Sequence, residues 1–299
     1  MSPRSVTVRV PASTSNLGPG FDTLGLALRL HNRVTVERTA EPGLTVLGAG
    51  SVAGHAAIAR IVGPVAELFF RRTRTKRHGL AVTQRNAIPI GRGLGASASL
   101  AVGVAAGLDA LHGSPLGRHR LLDLVTETEG HPDNATPSIF GGFTASTLIG
   151  KEARSLRFLV STKATFVTLV PDFEVSTPAA RELVPAQFSK ADTVHAITRV
   201  AVITAAFASG DLEALRGCFD DRIHQPYRAL LIPQLGRVIK AGEKAGALGG
   251  WLSGSGSAIM CVTLVDPEAV GRAMQRALPG SAVLLLKADR RGFVVGPAR

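Results

Sequence analysis

The chain has 299 residues, 45% apolar and 19% charged, enough to build the core of one large domain or two ordinary ones. Two cysteines give no disulfide framework, 5% aromatic residues make a base-stacking surface a poor fit, and the longest apolar runs fall short of the ~20 residues of a membrane span. A net charge of +12 favours anionic partners, and an N-terminus that runs straight into an alternating stretch is read as carrying no signal peptide, so a cytoplasmic setting is expected.

In chain order, alternation predicts strands over Val6–Val10 and Leu26–Glu37. Between them, Asn16 and Asp22 flank the turn Gly18-Pro19-Gly20, which either presents both side chains from one rigid loop or uses them as ordinary turn residues. A helix is predicted around Ala56–Arg71, followed by the basic run Arg71–His78 and a strand over Leu80–Gln84. One short basic run is weak ground for a nucleic-acid patch and reads more simply as a solvated helix end.

The next loop is rich in glycine. Gly91, Gly93 and Gly95 allow successive N–H groups to turn toward an anion, and Ser97 and Ser99 open an alanine-rich helix over Leu100–Leu111 whose N-terminus favours negative charge. Neither P-loop nor Rossmann spacing is present, so a polyphosphate cradle and a tight turn both stay open. Ser114 as cap, Pro115 at the first position and Gly130 at the end bound another helix, with Leu121, Leu124, Val125 and Thr128 as its buried stripe. Glu127 and Glu129 sit in its last turn, where the helix dipole disfavours carboxylates. A magnesium ion held through oxygen would account for them, and so would a lysine or arginine neighbour or simple exposure.

From Thr162 the pattern changes: strand over Ala164–Pro171, helices over Asp192–Gly210 and Pro233–Gly246, and strand over Ala258–Val265. A helix over Pro267–Leu278 and strands over Ala282–Ala288 and Gly292–Val295 complete it. The glycine- and hydroxyl-rich segment Trp251–Ser257 suits close approach to a ligand, or a tight connection. The expectation is two α+β halves, residues 1–160 and 161–299.

Three of these segments, Pro11–Asp22, Pro89–Ala98 and Leu252–Gly256, stand in the order of the three motifs of the galactokinase, homoserine kinase, mevalonate kinase and phosphomevalonate kinase (GHMP) superfamily, which the chain resembles over nearly its whole length. Asn16–Gly25, Glu129–Asn134 and Asp221–Arg228 are most similar to the homoserine kinase family within it. The resemblance implies an N-terminal ATP-binding domain of the ribosomal-protein-S5 domain 2-like type, a C-terminal ferredoxin-like domain, and an active site between them. It implies phosphorylation of homoserine by ATP in threonine biosynthesis, with magnesium. ATP would be held by Pro89, Ile90, Gly91, Arg92, Gly93, Leu94, Gly95, Ala96, Ser97, Ala98 and Ser99, closed by Gly254, Ser255 and Gly256, with Ser97 and Glu129 as metal ligands.

By the same resemblance Asp22 pairs with the substrate ammonium, Arg181 and Arg228 clamp its carboxylate, Thr177 lies beside them, and Asn16, His131 and Asn134 surround the hydroxyl. Where relatives with a base carry aspartate, Asn134 stands, and an amide takes no proton, so direct in-line transfer is expected with His131 as the fallback base. Two positions depart from the family pattern. Ala96 replaces a common serine, and Gly48–Arg60, near which adenine is often held, is short and rich in glycine and alanine. The rival readings are another kinase of the superfamily acting on threonine, mevalonate or shikimate, and a non-catalytic nucleotide- or nucleic-acid-binding module. The partners expected are ATP and homoserine, with neither nucleic acid nor membrane; a homodimer is left open.

Overall fold

The computed structural model describes residues 4–47 and 52–297. Its first sheet grows from a long antiparallel pair, β1 (Ser5–Ser15) and β2 (Leu24–Thr39). Their alternation places Val6, Val8, Val10, Val34 and Val36 on one face, all buried. A short β3 (Leu44–Leu47) lies parallel to β4 (Gly79–Arg85), which pairs antiparallel with the second half of β2. Helices α1 (Val52–Thr73) and α2 (Ala96–Leu111) cover the valine face. The α2 helix comes very close to the sheet, because a Cβ on Gly103 or Gly107 would stand 2.6 Å from Val34 or Val36 respectively.

The following helix differs from its expected start. It is α3 (Gly117–Glu129), and Ser114, with φ of 60°, stands outside it together with Pro115. Its first N–H groups are met from a distance, since the Asp109 carboxylate at the end of α2 accepts from Leu116 N at 2.8 Å and Gly117 N at 3.4 Å. Gly130 ends α3 in the left-handed region as expected, and the buried stripe is Leu121, Leu122, Leu124, Val125 and Thr126, with Thr128 only half-buried. After α4 (Ala135–Phe140), the hairpin β5 (Phe143–Ile149) and β6 (Glu152–Phe158) joins the start of β2.

The second half contains β7 (Thr165–Val170), α5 (Thr177–Glu182), α6 (Lys190–Ser209), α7 (Gln225–Arg228) and α8 (Leu235–Lys244). β8 (Gly249–Leu252), β9 (Ile259–Thr263), α9 (Pro267–Ala277) and β10 (Ala282–Leu286) follow. Its four strands form an antiparallel sheet in the order β10-β7-β9-β8. Val238 of α8 and Val270 and Met274 of α9 pack on one face of it. Phe166, Trp251 and Met260 share a second core with Leu24, Leu26, Leu28 and Phe143 of the first half. The α6 helix, at 20 residues, is long and apolar enough by composition to cross a bilayer, which the shorter run noted in the sequence did not suggest. It docks Ala196, Ile203, Ala206 and Phe207 into the protein.

Residue 160 falls between the two sheets, but the chain crosses back. A final β11 (Val294–Val295) pairs with Val8 and Arg9 of β1. Phe293 enters the first core, and Arg118 donates to the carbonyls of Arg291 and Phe293.

Candidate active site

Both halves line one cavity of about 760 Å³. Its wall toward the first sheet is the glycine loop between β4 and α2. Gly93 and Gly95 are there because nothing larger fits: a Cβ on Gly93 would lie 2.0 Å from the Ser253 carbonyl oxygen, and one on Gly95 would lie 2.1 Å from Ser13 Oγ. The loop is pinned by the opposite half, with Ser253 Oγ donating to Gly93 O at 2.7 Å and Ala258 N donating to Arg92 O at 3.0 Å. Ile90, Gly91, Gly93, Gly95, Ala96, Ser97 and Ala98 line the cavity, as do Gly254, Ser255 and Gly256.

Four loop residues expected at ATP do not line it. Leu94 is fully buried in the second core. Ser99 is buried as well, accepting from Asn32 Nδ2 and donating to Ala96 O. The Arg92 side chain turns to the Pro171 carbonyl and the Glu174 carboxylate, and Pro89 lies off the wall. The pattern of a phosphate loop marks the turn, not which of its side chains face inward.

One end of the cavity is mostly apolar, walled by Ala57, Ile58 and Ile61 of α1 together with Gln84 and Asn86. Part of the departure at Gly48–Arg60 falls here; residues 48–51 lie outside the described residues. Near the loop, Ser97 Oγ donates to Glu129 Oε1 at 3.0 Å. Burial pushes the Glu129 carboxyl above its ordinary range, against the Ser97 hydrogen bond and the nearby His131 charge. Glu127, the other carboxylate of that turn, points away and pairs with Arg71 and Arg72, so an arginine neighbour explains it. Two more members of the basic run have local partners: Arg77 faces Glu67, and His78 stacks on His112.

Two hard oxygen donors 3.0 Å apart on the cavity wall match the edge of a magnesium octahedron, where ligands at ~2.1 Å stand about 3 Å from each other. Ser97 and Glu129 therefore fit that ion. Asp22, His131 and Asp133 also bring donor atoms within 4.8 Å of one another. They fit less well, because Asp22 is held by Arg181 and the His131 Nδ1 by Asp133.

The other end is charged. Asn16 and Asp22 both have positive φ, 69° and 54°, in a loop closed by the Asn16 side chain, which accepts from Asp22 N at 3.1 Å and donates to Gly254 O at 3.2 Å. Asp22, expected to wait for a substrate ammonium, is held by Arg181 in a two-pronged pair at 2.7 and 3.1 Å. Arg228 is 1% exposed, donates to Gly254 O at 2.9 Å, and lines the cavity; burial and the Arg181 charge bring its pKa down to about 10. Thr177 and Arg181 line it from α5.

Beside them His131 Nδ1 meets Asp133 Oδ1 at 2.6 Å. Burial opposes the His131 charge, but the bond to Asp133 and the charges of Asp133 and Asp22 outweigh it and raise the imidazole pKa. Asp133, 2% exposed, is lowered despite burial by the same bond. The Asn134 amide is engaged at both ends: Oδ1 accepts from Ser13 Oγ at 2.9 Å and Nδ2 donates to Ser15 Oγ at 3.0 Å. Asp133, Ser13 and Ser15 were not singled out from the sequence. The His-Pro-Asp spacing, which sets a carboxylate two residues from a ring nitrogen, was the one available signal.

Comparison with known proteins gives the same outline. Residues 59–142 match the model of the GHMP kinases N terminal domain, and residues 203–280 match GHMP kinases C terminal. The chain is 39% identical to homoserine kinase from Moorella thermoacetica over 92% of its length and 93% of that protein. It is likewise 39% identical to homoserine kinase from Deinococcus radiodurans, over 86% and 84%. Its fold superposes on the crystal structure of homoserine kinase from Cytophaga hutchinsonii with a TM-score of 0.89 and 26% identity, covering 98% and 97% of the two chains.

Proposed function

The chain belongs to the GHMP kinases and, within them, to the homoserine kinases, and we propose that its cleft joins ATP and homoserine end to end for direct in-line transfer of the γ-phosphoryl group. The observation that carries this reading is that one cavity gathers an apolar stretch of α1, the glycine wall, the Ser97–Glu129 oxygen pair and the charged group of Asp22, Arg181 and Arg228. The product is O-phosphohomoserine, the precursor of threonine. A cytoplasmic setting belongs to the proposal, in keeping with Cys218 and Cys261 both being free thiols.

Adenine fits the apolar end, and the backbone of residues 91–97 with the start of α2 suits the phosphates. Ser97 and Glu129 would hold magnesium, which when bound neutralises charge on the phosphate oxygens. Homoserine is a zwitterion, and it meets a zwitterion in kind. Its ammonium would replace the Arg181 guanidinium at Asp22, and its carboxylate would replace Asp22 at Arg181 while also reaching Arg228. Each charge released is taken up again, so the exchange leaves no group unpaired.

No protein base is required. The Asn134 amide is committed to Ser13 and Ser15, and the bond to Asp133 outweighs burial to raise the His131 pKa, which favours its charged form. A charged imidazole orients the acceptor hydroxyl and offsets the charge of the incoming phosphoryl group, while the hydroxyl proton leaves to phosphate. Positioning and charge then supply the rate, as a loose phosphoryl transfer allows.

Two experiments test this reading. Glu129→Gln is expected to abolish most turnover with the fold intact, and an unchanged magnesium dependence in that variant would remove Glu129 from the metal site. Asp22→Asn should lower kcat/KM for homoserine by on the order of a hundredfold or more. Activity toward 4-hydroxybutyrate, which lacks the ammonium, should fall far less; a constant ratio between the two acceptors reduces Asp22 to a turn residue.

A further inference from the structure

Arg228 lies among hydrogen-bond partners that fix it from several sides. Nε donates to Ala180 O at 3.3 Å, one terminal nitrogen donates to Gly254 O at 2.9 Å, and that same nitrogen lies 3.3 Å from His224 Nδ1. On the far side of the ring, His224 Nε2 lies 2.9 Å from the carbonyl oxygen of Gly18, in the loop that carries Asn16 and Asp22. His224 is fully buried. These neighbours settle its tautomer. A guanidinium only donates and a carbonyl only accepts, so Nδ1 presents a lone pair to Arg228 and Nε2 carries the hydrogen toward Gly18.

We propose that His224 is a positioning residue for the acceptor, a neutral Nε2–H imidazole that spans from the Gly18 loop to Arg228 and locks the guanidinium in its cavity-facing pose. The proposal rests on the reading that Arg228 binds the homoserine carboxylate. Two further contacts serve the same end. The ring stacks on Phe21 at 5.2 Å and 24°, and the Arg228 guanidinium carbon lies 5.0 Å from the centre of that same phenyl ring. The Asp221 carboxylate, 3.4 Å from Nε2, accepts from the backbone N–H groups of Ile223, His224 and Gln225 and so anchors the residue at the start of α7. Burial, set against the charge of Asp221, keeps the imidazole pKa below its ordinary value, in agreement with the neutral form. His224 thus ties a loop of the first half to an arginine of the second, across 206 residues of sequence.

The test separates the two ring nitrogens. Asparagine places its side-chain oxygen near the position of Nδ1 and keeps an acceptor for Arg228; glutamine places its amide nitrogen near Nε2 and keeps only the donor to Gly18. His224→Gln should raise the KM for homoserine about tenfold, the effect of one lost hydrogen bond to a charged group. His224→Asn should stay near the wild-type value, and kcat and the KM for ATP should hold in both. Equal losses in the two variants, or a parallel rise in the KM for ATP, would show a packing role and overturn the proposal. Nitrogen NMR of imidazole-labelled wild-type enzyme gives a second measurement that needs no variant: a bare Nδ1 at neutral pH is expected, and a protonated Nδ1 refutes it. Arg228→Leu tells apart the two levels of failure. If that variant leaves the homoserine KM unchanged, the carboxylate reading fails; if it raises the KM while His224→Gln does not, only the role of His224 falls.

Discussion

Two turns supply charged residues to the cavity, Glu129–Asn134 and Asp221–Arg228, and each places a histidine beside an aspartate. In the turn of Glu129–Asn134, His131 lies 2.6 Å from Asp133; in the turn of Asp221–Arg228, His224 lies 3.4 Å from Asp221. The outcomes are opposite, with the His131 pKa raised and the His224 pKa lowered. Burial works against the charged form of both rings, more completely at His224, and what else each aspartate does decides whether it is outweighed. Asp133 bonds directly to the His131 ring, whereas Asp221 spends its oxygens on three backbone N–H groups, and the second nitrogen of His224 faces an arginine. A carboxylate near an imidazole therefore does not decide its charge. Burial and the remaining contacts of both groups do.

The most damaging way to break this comparison is to take the charge from His131. Asp133→Asn should lower kcat/KM at neutral pH by on the order of a hundredfold, the scale of losing one aligned charge stabiliser. The sign follows from the raised pKa: the imidazolium exists below it, so wild-type activity should decline as pH rises through it, and in Asp133→Asn that decline should move to lower pH. Activity that climbs with pH along that limb would make His131 the base. Stability obeys the same sign, since a raised folded pKa stabilises fully below the unfolded value of 6.5 and the gain is lost as pH rises through the folded pKa.

A gentler change acts on the other turn. Asp221→Ala removes the acceptor of three N–H groups and should cost about 1–2 kcal/mol, the scale of a lost helix cap, seen as a lower denaturant midpoint. His224 should keep its hydrogen on Nε2 in that variant, because Gly18 and Arg228 still face its two nitrogens; a hydrogen found on Nδ1 instead would mean that Asp221 sets the tautomer after all.

The smallest effect extends the comparison to a ring with no carboxylate. Burial, Arg38 and His78 bring His112 from 6.5 to about 4. The unfolded chain binds the proton more readily, so stability from this group is intact above pH 6.5 and falls as pH drops toward 4. His112→Gln should flatten that slope in a melting series without changing activity.

What could be read beforehand follows a physical line. The helix over Leu100–Leu111 is apolar on every side and is buried on nearly every side, and the strands β1 and β2 carry their burial in their alternation, so these were legible. The start of α3 was not, because its cap is Asp109, a residue of the previous helix, while the local Ser-Pro pair imitated one. The β5–β6 hairpin was missed because β6 alternates between half-buried and exposed residues and buries no apolar stripe. At the site, residue types were legible and partners were not. Nothing local ties Asp22 to Arg181, 159 residues away, and nothing separates Glu127, facing arginines, from Glu129, facing the cavity.

The return of β11 to β1 also bears on how the molecule comes into being. A ribosome delivers the first sheet long before residues 294–295, and the domain first made folds first where it can. Here it cannot finish, since the rim of β1 at Val8 and Arg9 stays bare until β11 arrives. A bare rim of unpaired N–H and C=O groups invites pairing with another nascent chain. The closing strand therefore acts late, as a seal on a part synthesised early, and shortening the chain before Val294 should harm yield and solubility more than catalysis.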